Sequence, residues 1–338
     1  MQVRTLLLPE TSKTGLAEAQ VVLQEVQKLI DEYKVARDNR PAGTPRPPKP
    51  SLYRLHDFVE SGDWLALKRF LDDHRTQNIN GIDADSPDFM SPLMLACGQG
   101  QIECVEVLLR HGADFQVEDG SSNLLPLQYA SWWGHDDIVQ LLINHGADVN
   151  QKSTHGTYAL GYAASKLQPH VVRVLLRYGA YPDDRNALGW TTLMHLVCLG
   201  ARQESGEHDD PRSELQRRTE DNPVIIEIAG MLLDAGADIN ARGHSQWGVV
   251  DYEGDTALNM CIEDSKIDIM EFLISRGASL DVQRQSDGRN ALLAAAEMNQ
   301  HAIVELLLRS GADENVRDHR SRDYTDLLAL PWPRDEDE

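Results

Sequence analysis

Cysteine, aromatic residues and long apolar runs are all scarce in this chain of 338 residues. Its four cysteines, Cys97, Cys104, Cys198 and Cys261, are too few and too scattered for a disulfide framework, which favours a reducing compartment, the cytoplasm or the nucleus. No stretch approaches the roughly 18 uninterrupted apolar residues of a membrane span, and the first ten residues lack the features of a signal peptide. We therefore expect neither a span nor a cleaved leader.

Basic residues are fewer than acidic ones. The chain has 32 Lys and Arg and 54 Asp and Glu, which give a formal net charge of −22. Nucleic acids and anionic membranes attract clustered Lys and Arg, so this excess of carboxylate argues against both as direct ligands. With 41% hydrophobic and 25% charged residues, the composition is that of an ordinary folded protein.

Internal repetition predicts the architecture. The dipeptide Gly-Ala occurs six times at intervals of 34, 33, 57, 41 and 34 residues, beginning at Gly112, Gly146, Gly179, Gly236, Gly277 and Gly311. Apolar residues stand eight, seven, five, four and three positions before every one of these glycines, and the fourth is always leucine. This spacing predicts an apolar stripe along a helix that ends near the glycine, since glycine adopts the left-handed conformation without strain.

A shorter apolar segment precedes these helices, and several such segments begin with a hydroxyl residue, as in Ser91-Pro92, Thr191-Thr192 and Thr256-Ala257. The hydroxyl can accept a hydrogen bond from an unpaired amide at a helix start, and proline at the first helical position loses no such bond. Each unit is therefore predicted to be two antiparallel helices and a turn. A single unit cannot bury its own apolar face, so neighbouring units must stack to form a core.

These units resemble the repeats of the ankyrin family. The family's signature is best kept at Pro126-Leu127, Ala130, Gly134-His135, Leu141-Leu142, Gly146-Ala147-Asp148 and Asn150. The resemblance covers residues 52–330 and implies an all-α ankyrin-repeat solenoid of stacked helix pairs with hairpin-like turns. We count about seven repeats and a C-terminal capping helix. The family also implies a noncatalytic scaffold for protein-protein interaction.

Three further segments flank or interrupt this array. Residues 1–38 have apolar residues at alternating three- and four-residue spacing, which predicts an amphipathic helical segment that either docks on the first repeat or binds another protein. Residues 39–51 are a Pro-rich linker, in which the Pro-Arg-Pro-Pro-Lys-Pro stretch could also dock in an aromatic groove. Residues 331–338 are an acidic tail.

Two insertions interrupt the array, near 201–222 and 243–253. The first is polar and poor in hydrophobic residues, so we expect a solvated or disordered excursion. The second contains Trp247 and other apolar residues, enough to fold or to bind a partner.

Catalytic and metal sites are not indicated. Metal sites need Cys or His in closely spaced pairs, whereas Cys97 and Cys104 fall on different helices, and Cys104 takes an apolar core position. His111 and His145 precede a terminal glycine, where helix capping explains them. The Asp after Gly-Ala is expected from the family to order the turn. We therefore expect no enzyme activity, no cofactor and no metal.

A binding surface is the remaining candidate for function. Ankyrin partners usually contact the hairpin tips and the adjoining, concave face of the first helix of each repeat. Mapped by motif, the candidate residues are Trp132, Trp133, His155, Tyr158, Leu188, Trp190, Trp247, Glu263 and Asp264. Exposed tryptophans commonly anchor interfaces, and the acidic pair suits a protein or peptide partner of basic character. The alternative is an adaptor or regulatory subunit that recruits an enzyme through its N-terminal helix.

Two asparagines form a separate candidate site of modification. Asn150 and Asn240 each stand eight residues after a leucine, Leu142 or Leu232, and follow Asp-Val or Asp-Ile. In this they are similar to asparagines that are hydroxylated in ankyrin proteins. The resemblance implies that a suitable hydroxylase in the host would modify them.

Overall fold

The structure, a computed structural model, describes residues 54–73, 78–82, 89–120, 123–154, 156–187, 189–198, 211–243, 254–262 and 265–329, with only the backbone of Arg54 and of 211–221. Within these ranges, fifteen helices form seven antiparallel pairs followed by a single helix, and no strand is present. First helices pack against first helices along the whole stack, and second helices pack against second helices from the first pair to the sixth. The molecule is thus a two-layered stack of helix pairs.

The helices differ in length in a regular way, because the first helix of a pair is usually the shorter one. The first helices are α1 (Arg54–Glu60), α3 (Pro92–Gly98), α5 (Pro126–Trp133), α7 (Ala159–Ser165), α9 (Thr192–Cys198), α11 (Ala257–Met260) and α13 (Ala291–Glu297). The second helices are α2 (Trp64–Asp73), α4 (Ile102–Arg110), α6 (Asp136–Asn144), α8 (Pro169–Arg177), α10 (Pro211–Asp234), α12 (Ile267–Ser275) and α14 (His301–Arg309). The closing helix is α15 (Tyr324–Leu328).

The core lies between the two helix layers and between successive pairs. The leucine found four positions before each Gly-Ala is fully buried in all six copies, at Leu108, Leu142, Leu175, Leu232, Leu273 and Leu307. Cys104 is 1% exposed and belongs to the same core, as its position in the repeat predicts. Each pair thus completes its core only through its neighbours.

The predicted helix starts are confirmed. Ser91 accepts a hydrogen bond through Oγ from the amide of Met94 at 3.3 Å, and Thr256 caps α11 through the amide of Asn259 at 3.4 Å. Thr191 makes the equivalent bond at the start of α9. These side chains satisfy amides that have no partner within the helix.

The turns that follow the second helices also have the predicted form. The six glycines of Gly-Ala all have positive φ, between 84° and 102°. The carboxylate of the following Asp accepts a hydrogen bond from the amide two residues later, at 2.8–2.9 Å, in Asp114, Asp148, Asp238 and Asp313. These Asp residues therefore order the turn.

In three pairs, a polar residue just before the second helix links the pair to the previous one. His135 Nε2 lies 3.2 Å from the carbonyl oxygen of Gly98, and Gln300 Nε2 donates to the carbonyl of Ile262 at 2.8 Å. Lys266 is buried, and its ammonium group donates to a carbonyl oxygen of α9. These bonds satisfy carbonyls at the C-terminal ends of first helices and tie successive pairs together.

The expectation of a disordered excursion at 201–222 is wrong for its second half, whereas the alternative of a solvated excursion stays a prediction. The backbone of residues 211–222 is helical and continuous with α10. Residues 226–234 match the nine residues of most other second helices, so residues 211–225 extend this helix by about 22 Å. Charged residues of opposite sign stand four apart in this extension, Glu214 with Arg218, a spacing that supports a helix despite few hydrophobic residues.

The second insertion leaves and rejoins the stack at one point. The amide of Gly243 donates to the carbonyl of Asp255 at 2.8 Å, and the amide of Gly254 donates to the carbonyl of Gly243 at 3.0 Å. These bonds close the base of the insertion. Trp247 and the other residues of 244–253 lie outside the described residues.

Candidate partner-binding face

Trp132 and Trp133, at the end of α5, face two different neighbours. The Trp132 ring lies 5.5 Å from the ring of Tyr162 in α7, with an interplanar angle of 55°. A Cβ atom placed on Gly98 of α3 would lie 3.5 Å from both Cδ1 and Nε1 of Trp133. Successive residues of a helix point about 100° apart, so the two indoles diverge. Together they span three consecutive helix pairs.

Trp133 presents the larger exposed surface of the two. Its side chain is 57% exposed, whereas Trp132 is half-buried between its neighbours. The absence of a side chain on Gly98 leaves room for the indole of Trp133 to lie along α3. The helix backbone and the contact with α3 hold this indole in place while most of it remains accessible.

Lys166 covers the other tryptophan. Its Nζ lies 4.1 Å from the centroid of the Trp132 ring, a distance at which an ammonium ion is attracted to the negative face of an indole. Lys166 is exposed and forms no ion pair with any residue that the structure describes. The site therefore combines exposed aromatic surface with an uncompensated positive charge.

Tyr162 connects this helix end to the neighbouring hairpin. Burial raises the pKa of its phenol above the ordinary value, although hydrogen bonds with Thr157 and Ser153 oppose the shift. The ring packs against Trp132 while the hydroxyl is directed to the hairpin at 153–157. Sequence reasoning did not single out Tyr162, although it occupies the same position in its helix as Tyr129 in α5.

Tyr158 lies at the start of α7 and is only 9% exposed. The Nζ of Lys152 lies 4.6 Å from the centroid of its ring. The tyrosine thus supports an exposed lysine and offers little surface of its own. Its direct contact with a partner stays a prediction.

Trp190 lies at a hairpin tip that a network of backbone and side-chain bonds holds in place. Arg185 pairs with Thr191 in an antiparallel bridge, and its Nη1 donates to the carbonyl of Arg242 in the next hairpin at 2.8 Å. The half-buried Trp190 ring lies 6.5 Å from the ring of His195. Burial lowers the pKa of His195 below its usual value.

Five predicted contact residues cannot be placed on this face. His155, Leu188, Trp247, Glu263 and Asp264 lie outside the described residues. Of the predicted set, the structure places Trp132 beneath Lys166, Trp133 beside Gly98 of α3, and Trp190 at a separate hairpin tip.

Asn150 and Asn240 bridge neighbouring turns. Asn150 Oδ1 accepts a hydrogen bond from the amide of Tyr181 at 2.9 Å, and its Nδ2 donates to the carbonyl of Gly179 at 3.0 Å. Asn240 Oδ1 accepts from the amide of Ser279 at 2.8 Å. Both side chains therefore have a structural function in linking repeats, and their hydroxylation stays a prediction.

The described residues contain no group of three or more His, Cys, Asp or Glu that could hold a metal ion. Burial raises the pKa of the Cys104 thiol to about 11, and burial also raises the pKa of Cys97, so neither thiol is an activated nucleophile. No described helix is long and apolar enough to cross a bilayer.

Comparisons with known proteins agree with this architecture. Among curated relatives, the B-cell lymphoma 3 protein homolog of Mus musculus is 32% identical over 149 residues, which are 44% of this chain and 27% of that protein. The NF-kappa-B inhibitor cactus of Drosophila yakuba is 25% identical over 151 residues, 42% of this chain and 28% of that protein. The chain therefore spans little more than a quarter of the length of these relatives.

Solved structures show the same fold. The ankyrin repeat domain of Bcl-3 superposes with a TM-score of 0.56 at 24% identity, over 72% of this chain and 94% of that one. The human ASB11 ankyrin repeat domain gives a TM-score of 0.53 at 23% identity, over 71% of this chain and 92% of that one.

The sequence profile described as Ankyrin repeats matches three copies, over residues 55–153 and 225–318, which together exceed half of the chain. Ankyrin repeats are modules of protein-protein interaction, typically without catalytic activity. With the paired helices, the buried leucines and the ordered Gly-Ala turns already described, this match establishes that the chain belongs to the ankyrin repeat family.

Proposed function

We propose that this protein is a noncatalytic scaffold that binds a segment of another protein on the concave face formed by the first helices and hairpin tips of repeats three to six. The observation that carries the proposal is Trp133, which is 57% exposed at the end of a packed helix. Trp132, Tyr162 and Lys166 surround the same helix end.

The energetics of interfaces support Trp133 as an anchor. A tryptophan buried at the centre of an interface often contributes about 2 kcal/mol or more, measured as the loss on truncation to alanine. Because α5 and α3 already hold the indole, its ordering upon binding costs little additional conformational entropy. An exposed aromatic side chain on such a support is typical of a partner-binding site.

The similarity to a protein named as an NF-kappa-B inhibitor supports a regulatory partner protein for this chain as well. The net charge of −22 and the pair Glu263 and Asp264 favour a basic stretch in the part of the partner that reaches the sixth repeat. We further propose that the protein acts in the cytoplasm or the nucleus, in keeping with its free cysteines.

Affinity purification followed by mass spectrometry tests the binding face. Trp133→Ala is compared with the wild type and with Tyr181→Ala, which removes an aromatic side chain of similar exposure, 61%, at a turn after α8. We expect Trp133→Ala to lose partners that Tyr181→Ala retains, with thermal unfolding unchanged in both. Retention of every partner by a folded Trp133→Ala protein would exclude this site.

An adaptor function is the second candidate, supported by the apolar spacing of residues 1–38, which lie outside the described residues. In this case the N-terminal segment recruits an enzyme while the array holds a substrate or regulator. Deletion of residues 1–50 separates the two candidates. An adaptor loses a distinct subset of its partners upon deletion, whereas a scaffold that acts through its array alone keeps them all.

A further inference from the structure

At each end of helix α7, the ammonium group of an exposed lysine lies over an aromatic ring. Lys152 stands over Tyr158 at its N-terminal end, and Lys166 stands over Trp132 at its C-terminal end. We propose that this stretch of the face, the two-lysine site, binds a partner segment that presents two carboxylates on either side of an apolar side chain. The inference rests on the proposed partner-binding function and specifies the chemistry of the partner.

The positive charge at this site is not held in an ion pair within the described part of the chain. Neither Lys152 nor Lys166 forms an ion pair there. The first helices α3, α5, α7 and α9 contain no Asp or Glu, although the chain has 54 acidic residues. Burial raises the pKa of Asp184 above its ordinary value, and the nearby Lys152 partly opposes this shift.

The rings beneath the two lysines restrict where the ammonium groups can lie. A cation at 4.1 to 4.6 Å from a ring centroid gains electrostatic attraction while its other N–H groups remain available. Both lysines therefore present donors to a ligand without first losing an internal ion pair. A carboxylate is the protein group that matches such a donor.

The length of α7 gives an approximate scale for a partner segment that would reach both lysines. Tyr158 and Lys166 are eight residues apart, which is about 12 Å at the rise of an α-helix. Carboxylates on residues i and i+4 of an extended segment are about 13 Å apart. The side chain halfway between them would lie near Tyr162, halfway along α7, whose half-buried ring contacts the ring of Trp132, so an apolar residue fits that position.

The two-lysine site favours acidic residues in the partner, whereas Glu263 and Asp264 favour a basic stretch. A partner that satisfies both would carry acidic residues at the fourth repeat and basic residues toward the sixth. The two charges would then fix the direction in which the segment runs along the array.

Selection from a random peptide display library on the full-length protein tests the two-lysine site. The selection is run on the wild type, on Trp133→Ala and on the double variant Lys152→Glu/Lys166→Glu. The control is Lys68→Glu/Arg69→Glu, which changes the net charge equally at two exposed positions on α2. Thermal unfolding shows whether each variant is folded.

We expect Trp133-dependent peptides with acidic residues about four positions apart around an apolar residue. Their affinity should fall on the order of tenfold or more in the lysine double variant, because two attractions become repulsions, and should change little in the control. Trp133-dependent peptides without this acidic pattern, or with unchanged affinity for the folded double variant, overturn the inference and leave the binding function standing. A selection that yields no Trp133-dependent peptide overturns both.

Discussion

Two glycines with the same backbone conformation allow strain and packing to be separated. Gly100 has φ +72° and Gly112 has φ +84°, so alanine at either position must adopt the left-handed region. A Cβ atom on Gly112 would meet nothing within 4 Å, whereas one on Gly100 would lie 2.5 Å from Cε1 of His135. Gly100→Ala therefore displaces His135, whose ring bonds to the carbonyl oxygen of Gly98.

The two substitutions should differ measurably in their effect on stability. Left-handed strain costs about 1–2 kcal/mol for alanine, and Gly112→Ala should lose about this amount of unfolding free energy. Gly100→Ala should lose a further 1–2 kcal/mol or so, since the ring of His135 must move and its hydrogen bond to the carbonyl of Gly98 breaks.

Urea unfolding followed by tryptophan fluorescence measures both effects, with the midpoint compared at an unchanged slope. The variant His135→Ala provides the internal control, because the additional cost of Gly100→Ala should largely disappear in that background. Equal losses for the two glycines, or an additional cost that survives without His135, would refute the proposed contact between pairs.

Three further predictions follow from the same structure. Ser265 is exposed at φ +53°, so Ser265→Gly should raise the stability by up to about 1 kcal/mol, and a lower urea midpoint would contradict this. Asn150→Ala removes bonds to Tyr181 and Gly179 and should cost about 1–3 kcal/mol in thermal or urea unfolding, whereas an unchanged midpoint would show that the bridge is unimportant. Burial lowers the pKa of His195 below its ordinary value of 6.5, so on acidification this histidine is protonated in the unfolded chain before it is protonated in the folded one. The free energy of unfolding should therefore fall as the pH drops below about 6.5. His195→Gln should reduce that slope, and an identical pH profile would exclude this histidine as its source.

The repeat architecture could be predicted because each repeat encodes it locally. The apolar spacing placed Leu142 and its five equivalents in the core, and the hydroxyl residues marked the starts of α3, α9 and α11. His111 and His145 also have the predicted capping role, since each ring nitrogen bonds to a carbonyl oxygen in the preceding turn, at 2.8 and 2.9 Å. These features depend on residues within a few positions of one another.

Features that depend on distant residues could not be predicted in the same way. The ring beneath Lys166 belongs to the preceding repeat, 34 residues earlier in the chain, and no local pattern connects the two. The helical extension of α10 was missed because its residues are polar, although helix formation requires only suitable propensity and spacing, not a buried face. The function of Asn150 as a bridge between turns likewise appears only when repeats are stacked.

The central claim is that Trp133 anchors a partner segment on a preformed face. Its most direct test is the dissociation constant of a recovered partner segment, measured by calorimetry for the wild type, Trp133→Ala and Tyr181→Ala. The account predicts a loss of about 2 kcal/mol or more, roughly 30-fold in affinity, for Trp133→Ala alone. An unchanged dissociation constant for a folded Trp133→Ala protein would contradict it.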